Sequence, residues 1–405
     1  MNPLSLSRRN FLTGTMAGAG AALLGKSAYA HEAPKIQGFD ETITEVDPSQ
    51  EWEPVSDRKI RVGIVGFGAC EFGAQFGFQN HPNVEVVAVS DLFPERRAGL
   101  AQACHCDKEY ESLEEMIKDD SIEAVFVATD APSHADHCMK VMNSGKHVAC
   151  AVPAVFGNLE DAERLLETVK KTGKTYAMFE TSAFHDDVYG ARKLYKAGAF
   201  GQMVYTEGEY YHYGTESAPS YRDWRIGMPV QWYPTHASAY YTCVTGGSFT
   251  RVSCLGKKSI QTDRYSENGR YGNVFGTEAA MLQTSEGGMA RIIVSFDTPG
   301  IAGETGRCRG QLAGYIGGFI PANDEVAQKY QPINILKPML PPGMDAGGHG
   351  GAHGYLTDDF IEAVLLERQP LVHILVALNT TVCGIVAHQS ALKDGESLPI
   401  PQYAV

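Results

Sequence analysis

The chain has 405 residues, 43% of them hydrophobic and 20% charged, with a net charge of −14 at pH 7. That length exceeds one compact unit and predicts two domains. The acidic balance excludes nucleic acid and anionic membrane as partners, because both need a basic surface, and it is compatible with a neutral small molecule such as a sugar.

Ser7-Arg8-Arg9-Asn10-Phe11-Leu12, an apolar small-residue stretch over 16–24 and Ala28-Tyr29-Ala30 together read as a twin-arginine export signal, residues 1–30. A chance Arg-Arg pair before an apolar helix is the competing reading. The apolar part is too short to span a bilayer, so no stable membrane anchor is expected after its removal, and the mature protein is expected in the periplasm or otherwise exported. Residues 31–57 are acidic, with Pro34, Pro48 and Pro54. They read as an arm lying on the domain or on a neighbouring subunit of a homo-oligomer, or else as a linker. Nine cysteines without a Cys-x-x-Cys pair read as small buried hydrophobes.

A short apolar run over 60–65 predicts a buried parallel strand, entering Gly66-Phe67-Gly68 and then Gly73. A helical stretch and a second strand over 84–89 follow, ending at Ser90-Asp91. This is a βαβ unit with a glycine turn: Gly66 permits the turn, Gly68 lets the backbone approach a pyrophosphate at the helix N-terminus, and Asp91 accepts from ribose hydroxyls. The third glycine of the fingerprint is replaced by Glu71, and Gly73 supplies close packing instead. A merely structural glycine turn is the alternative. Asp91 favours NAD over NADP by repelling a 2′-phosphate, although Arg96 and Arg97 offset that repulsion.

Helices are expected over 94–103 and 112–119, a strand over 124–129, a helix ending at Asn143, and a strand over 146–150. A helix over 159–172 and a strand over 176–179 complete an alternating series. It specifies a Rossmann domain, 58–182, with a doubly wound parallel sheet and its ligand at the C-terminal strand ends. After a helix over 188–197 the pattern changes to period 2 over 203–211, 249–256, 277–284 and 289–297. Two helices, 357–367 and 376–392, close the chain. Residues 183–405 thus read as an α+β domain with a large, mostly antiparallel open sheet, and the cleft lies between the two domains.

With Val62-Gly63-Ile64-Val65-Gly66-Phe67-Gly68, Val127-Ala128-Thr129 followed by His134, and Ser144-Gly145-Lys146-His147-Val148, the chain resembles the Gfo/Idh/MocA oxidoreductases over roughly 59–400. The resemblance implies NAD(P) on the first domain, with Gly66, Phe67, Gly68, Asp91, Thr129 and His134 as cofactor contacts and a sugar or polyol over the nicotinamide. The family's Glu-Lys-Pro stands here as Ala151-Val152-Pro153, without the lysine. Tyr233-Pro234-Thr235-His236, Trp224-Arg225, Glu207-Gly208 and Tyr210-Tyr211-His212 are similar to the family 109 glycoside hydrolases, which also lack that lysine. Phe184 stands where those hydrolases have a tyrosine.

Histidine has a pKa near working pH, so His236 is the candidate to take a hydroxyl proton, with Tyr233 orienting or sharing it, and a structural hydrogen bond is the alternative role. Arg225 is a candidate clamp for a sugar hydroxyl or carboxylate, with a surface ion pair as competitor. His212 and Tyr211 are candidate substrate contacts. His349 and His353 are spaced like zinc ligands, but the intervening glycines and the lack of a third ligand point to His349 lining substrate or forming a turn. Oxidoreduction with a tightly bound, recycled cofactor is the leading expectation. Net hydrolysis through a keto-sugar and a turnover-free sugar-binding protein are the alternatives.

Overall fold

The computed structural model describes residues 51–68, 70–214, 219–300 and 302–404. The twin-arginine segment and most of the proposed arm lie outside the described residues.

Six parallel strands form the first sheet: β1 (Ile60–Val65), β2 (Val84–Ser90), β3 (Glu109–Tyr110), β4 (Ala124–Val127), β5 (His147–Cys150) and β6 (Tyr176–Met178), in the order β3-β2-β1-β4-β5-β6. The order reverses between β1 and β4, so the switch point lies over the glycine turn, where doubly wound sheets bind ligands. Every residue of β4 is buried, as expected for a strand covered on both faces. The flanking helices Pro94–Ala103 and Leu159–Thr172 form as the sequence predicts. Leu159–Thr172 starts with Asn158 accepting the Glu160 N–H and stops at Gly173, whose φ is +62°.

The helix after β1 differs from expectation, for it is a single turn, Phe72–Gln75. Left-handed Glu71 before it and left-handed Gly77 after it confine it. Its liberated carbonyls are taken by a distant helix, His353–Leu365: Thr357 Oγ1 donates to Phe76 O at 2.7 Å and His353 Nδ1 lies 3.2 Å from Gln75 O. Asp358 adds a contact to His81 Nε2 at 3.1 Å.

Eight strands make the second sheet: β7 (Met203–Tyr211), β8 (Phe249–Lys258), β9 (Phe275–Thr284), β10 (Met289–Ser295), β11 (Gly303–Gly310), β12 (Ala313–Tyr315), β13 (Phe319–Pro321) and β14 (Leu398–Pro399). Their order is β13-β12-β11-β7-β10-β9-β8-β14, antiparallel except for the β7–β10 pair. Alternate residues of β9 are buried and exposed, so one face meets the core and the other is open. The buried face carries the helices Thr235–Thr245 and Ile374–Ala391. Ile374–Ala391 is apolar enough to cross a membrane but is largely buried, and it packs against β6 and β8.

Fully buried Phe78, Phe126, Phe179 and Phe360 join the parallel sheet to the helix His353–Leu365; Phe126 and Phe179 have ring centroids 5.0 Å apart. Each ring contributes on the order of 1.5–3 kcal/mol by burial. Eight of the nine cysteines are buried, and Cys70 alone among them is exposed.

Candidate active site at the strand ends

His236 is the second residue of the helix Thr235–Thr245, an element not assigned from the sequence. All residues from Thr235 to Val244 are buried, so the segment lacks the one-sided period by which surface helices are read. Gly208 of β7 admits this helix, since a Cβ there would lie 1.8 Å from Ala237 O. The close approach sets His236 beside Tyr210 of β7 and Glu304 of β11.

His236 Nδ1 lies 2.8 Å from Glu180 Oε1 and 3.5 Å from Glu304 Oε1. Glu180 lies two residues past the end of β6 and also accepts the Ser182 N–H at 2.9 Å. Glu304 Oε2 accepts from Ser182 Oγ at 3.0 Å and contacts His185 Nε2 at 3.1 Å. Burial opposes a charge on His236, and so does its place at a helix N-terminus. The two carboxylates outweigh burial and lift its pKa to about 9. The ordinary histidine pKa expected from sequence is therefore corrected, and at neutral pH this ring is an imidazolium. Glu180 is correspondingly lowered: burial acts against its charge, but the His236 cation prevails.

Tyr210 meets the His236 ring edge at 4.7 Å, and Tyr233 lies 5.7 Å from it. Burial raises Tyr233 to about 12 although Arg225 pulls the other way, so its hydroxyl keeps its proton. His212 packs 5.9 Å from Tyr210. His349 Nδ1 lies 2.8 Å from His353 Nε2, and its backbone carbonyl lies 2.8 Å from His185 Nε2. Those contacts bring it to the same cluster. Among the described residues, no group of three or more ligating side chains could hold a metal ion.

Tyr211 does not join them. Successive strand residues face opposite ways, and Tyr211 shares the outer face of β7 with Glu209; burial raises its hydroxyl pKa first, and the charges of Glu209 and of Arg291 on β10 act on it next. Tyr210, absent from the sequence-derived set, takes the place expected for Tyr211. Glu180 and Glu304 were also missed. Glu180 was accessible from its position one residue past a predicted strand, whereas β11 has too many glycines and charges to announce a strand.

At the switch point, a Cβ on Gly66 would lie 2.4 Å from Ala128 O, whereas one on Gly68 meets nothing within 4 Å. Only glycine fits the first, and the second leaves backbone open to a ligand. A Cβ on Gly73 would lie 2.5 Å from Gly66 O, which gives it the close-packing role of the missing third glycine. Asp91 accepts the N–H groups of Phe67 and Phe93, each at 2.9 Å, and keeps further lone pairs for hydroxyl donors. The turn and carboxylate suit a dinucleotide, although a one-turn helix adds little dipole. Thr129 Oγ1 bonds His137 Nδ1 at 2.9 Å. His134 has both ring nitrogens on backbone carbonyls, Pro153 at 2.9 Å and Thr129 at 3.1 Å, so its side chain fastens the strand-end loops rather than offering a free polar atom. Phe184 is sandwiched between Tyr189 and Tyr355.

Residues 60–180 match the profile of GFO_IDH_MocA, an oxidoreductase family with an NAD-binding Rossmann fold. Glycosyl hydrolase family 109 protein 1 of Bacteroides thetaiotaomicron is 26% identical over 341 residues, 78% of this chain and 70% of that protein. A glycosyl hydrolase family 109 protein of Stenotrophomonas maltophilia is 23% identical over 409 residues, 85% of this chain and 89% of that one. The solved complex of levoglucosan dehydrogenase with NADH and levoglucosan has a TM-score of 0.67 at 17% identity, covering 85% of this chain and 100% of that one, a likeness of fold. Glycine turn, strand order and relatives agree: residues 60–180 carry the NAD-binding Rossmann fold of the Gfo/Idh/MocA oxidoreductase family, and over most of its length the chain is similar to proteins named for glycosyl hydrolase family 109.

Proposed function

We propose that the protein is an NAD(P)-dependent oxidoreductase of a sugar or sugar derivative, with a tightly held cofactor restored to its starting state in every turnover. The observation that carries this reading is the buried His236 held between Glu180 and Glu304 beside the C-terminal end of the parallel sheet. A bound nicotinamide would supply the hydride acceptor and donor. Gly66, Phe67, Gly68, Asp91 and Thr129 would hold the dinucleotide, with His134 fixing the loop around it. NAD is favoured over NADP because Arg97 is engaged by Glu109 and by the Asp91 carbonyl, and so is not free to meet a 2′-phosphate.

His236 moves a proton at Nε2 to or from the reacting sugar oxygen while Nδ1 stays on Glu180. Tyr233 donates a hydrogen bond to the same oxygen, Arg225 grips a neighbouring substituent, and His212 and His349 line the sugar. Export of the folded protein through the twin-arginine segment would favour a cofactor that never leaves. Denaturing the purified protein should release stoichiometric nicotinamide nucleotide, and in native protein a sugar panel should reduce that bound pool. Protein that carries none and accepts none is a binding module, and this reading falls.

A second reading is net glycoside hydrolysis, favoured by Tyr233-Pro234-Thr235-His236 and by the relatives' names. Oxidation to a ketone acidifies the adjacent C–H; the leaving group departs, water adds, and the ketone is reduced again. Cleavage of both α- and β-aryl glycosides in deuterated water, with deuterium beside the former ketone, selects this route. Oxidised sugar without cleavage selects the first.

A further inference from the structure

We propose that Arg225 and Arg264 form an oxyanion clamp, so that the sugar taken by this site carries a carboxylate or sulfate. This rests on the oxidoreductase reading and adds its substrate class.

In the second sheet Arg291 and Arg307 both meet Glu207, while Arg251 of β8 bonds Ser397. Among the described residues Arg225 and Arg264 likewise reach no carboxylate. The Arg225 guanidinium lies over Trp224, 4.2 Å from the ring centroid. That of Arg264 lies 5.3 Å from Tyr265 and 6.0 Å from Phe296. Phe296 is 5.8 Å from Tyr210, which touches His236, so Arg264 stands two rings behind His236.

The charges of both arginines act on His212, whose ring sits 5.8 Å from the Phe296 ring that Arg264 also faces. Burial lowers the pKa of His212 first, and Arg225 and then Arg264 lower it further. Arg264 Nη1 donates to Gly214 O at 3.3 Å, while its Nε is buried without a partner. The Tyr265 hydroxyl and both amide atoms of nearby Gln261 are buried and unpartnered as well. A neutral sugar leaves two half-desolvated guanidiniums uncompensated, which is costly. An oxyanion completes them with charge-assisted, forked hydrogen bonds. With a net charge of −14 over the whole chain, the positive charge is a local feature suited to one substituent, not to a polyanion.

The test is calorimetric titration of the full-length protein with its native cofactor, using methyl glucuronide, methyl glucoside and methyl glucoside 6-sulfate, and the galacto series likewise. At least one acidic sugar should bind tenfold or more tighter than its neutral partner, with the gap narrowing as salt rises. The carboxylate and sulfate arms distinguish the two anions. Arg264→Gln should reduce the acidic-to-neutral ratio to near one and Arg264→Lys should restore part of it, with retained cofactor content reporting that each variant is folded. Neutral sugars binding as tightly as acidic ones, or a ratio unmoved by Arg264→Gln, overturns the clamp and leaves the oxidoreductase reading standing. Failure of every sugar to bind removes both.

Discussion

His236 Nδ1 and Glu180 Oε1 lie 2.8 Å apart, joining the first turn of a helix to the segment that follows the last parallel strand. The pair, with Glu304 behind it, sets the pH behaviour of the site. Only the neutral imidazole accepts a proton, so sugar oxidation should quicken as pH rises toward about 9, and carbonyl reduction should slow over the same range. Stopped-flow absorbance of the bound nicotinamide from pH 6 to 10 measures both, and a flat profile would contradict the assignment.

The same shift bears on stability. A histidine whose folded pKa is raised from 6.5 to about 9 contributes stability that is complete below pH 6.5 and lost as pH climbs through 9. The melting temperature should therefore fall between pH 7 and 10. His236→Ala should weaken that dependence, lower the melting temperature by leaving two buried carboxylates without their cation, and reduce turnover by roughly 10²–10⁴-fold. Its nucleotide content should be unchanged.

Glu180→Gln removes the nearer carboxylate but keeps a hydrogen-bond acceptor. The pH limb for oxidation should move down by about one unit or more, because Glu304 alone then opposes burial. Turnover near pH 7 should change less than in His236→Ala. An unmoved limb would show that the titrating group is not His236.

Gly66→Ala and Gly68→Ala should separate folding from binding. The first forces a Cβ to 2.4 Å from Ala128 O at φ +95°, and should cost roughly 1–3 kcal/mol or more in urea unfolding. The second, at φ +63° in open space, should cost about 1 kcal/mol. Its main effect should be loss of bound nucleotide.

Tyr210→Phe and Tyr211→Phe test which face of β7 meets substrate. Tyr210→Phe should shift KM or kcat for the sugar by about tenfold, a change of some 1.4 kcal/mol. Tyr211→Phe should leave both within twofold.

The parallel sheet could be read because its strands are continuous apolar runs punctuated by glycine; Ile60–Val65 and Leu159–Thr172 form at the predicted boundaries. The helix bearing His236 could not be read the same way, since burial on all sides erases its period. The site was half legible for a related reason. His236, Tyr233, Arg225 and His212 come from motifs, whereas Glu180 and Glu304 act only once β6 and β11 are placed on either side of that helix. Tyr211 and Tyr210 are one residue apart, and in a strand one residue changes the face, so it is Tyr210 that packs on His236.

The helix His353–Leu365 takes up the backbone carbonyls of Gln75 and Phe76, some 280 positions earlier. A ribosome must therefore release nearly the whole polypeptide before the segment beside the glycine turn acquires its last anchors. The proposed dinucleotide should accordingly be captured late in biosynthesis, and a product truncated ahead of residue 353 should emerge empty.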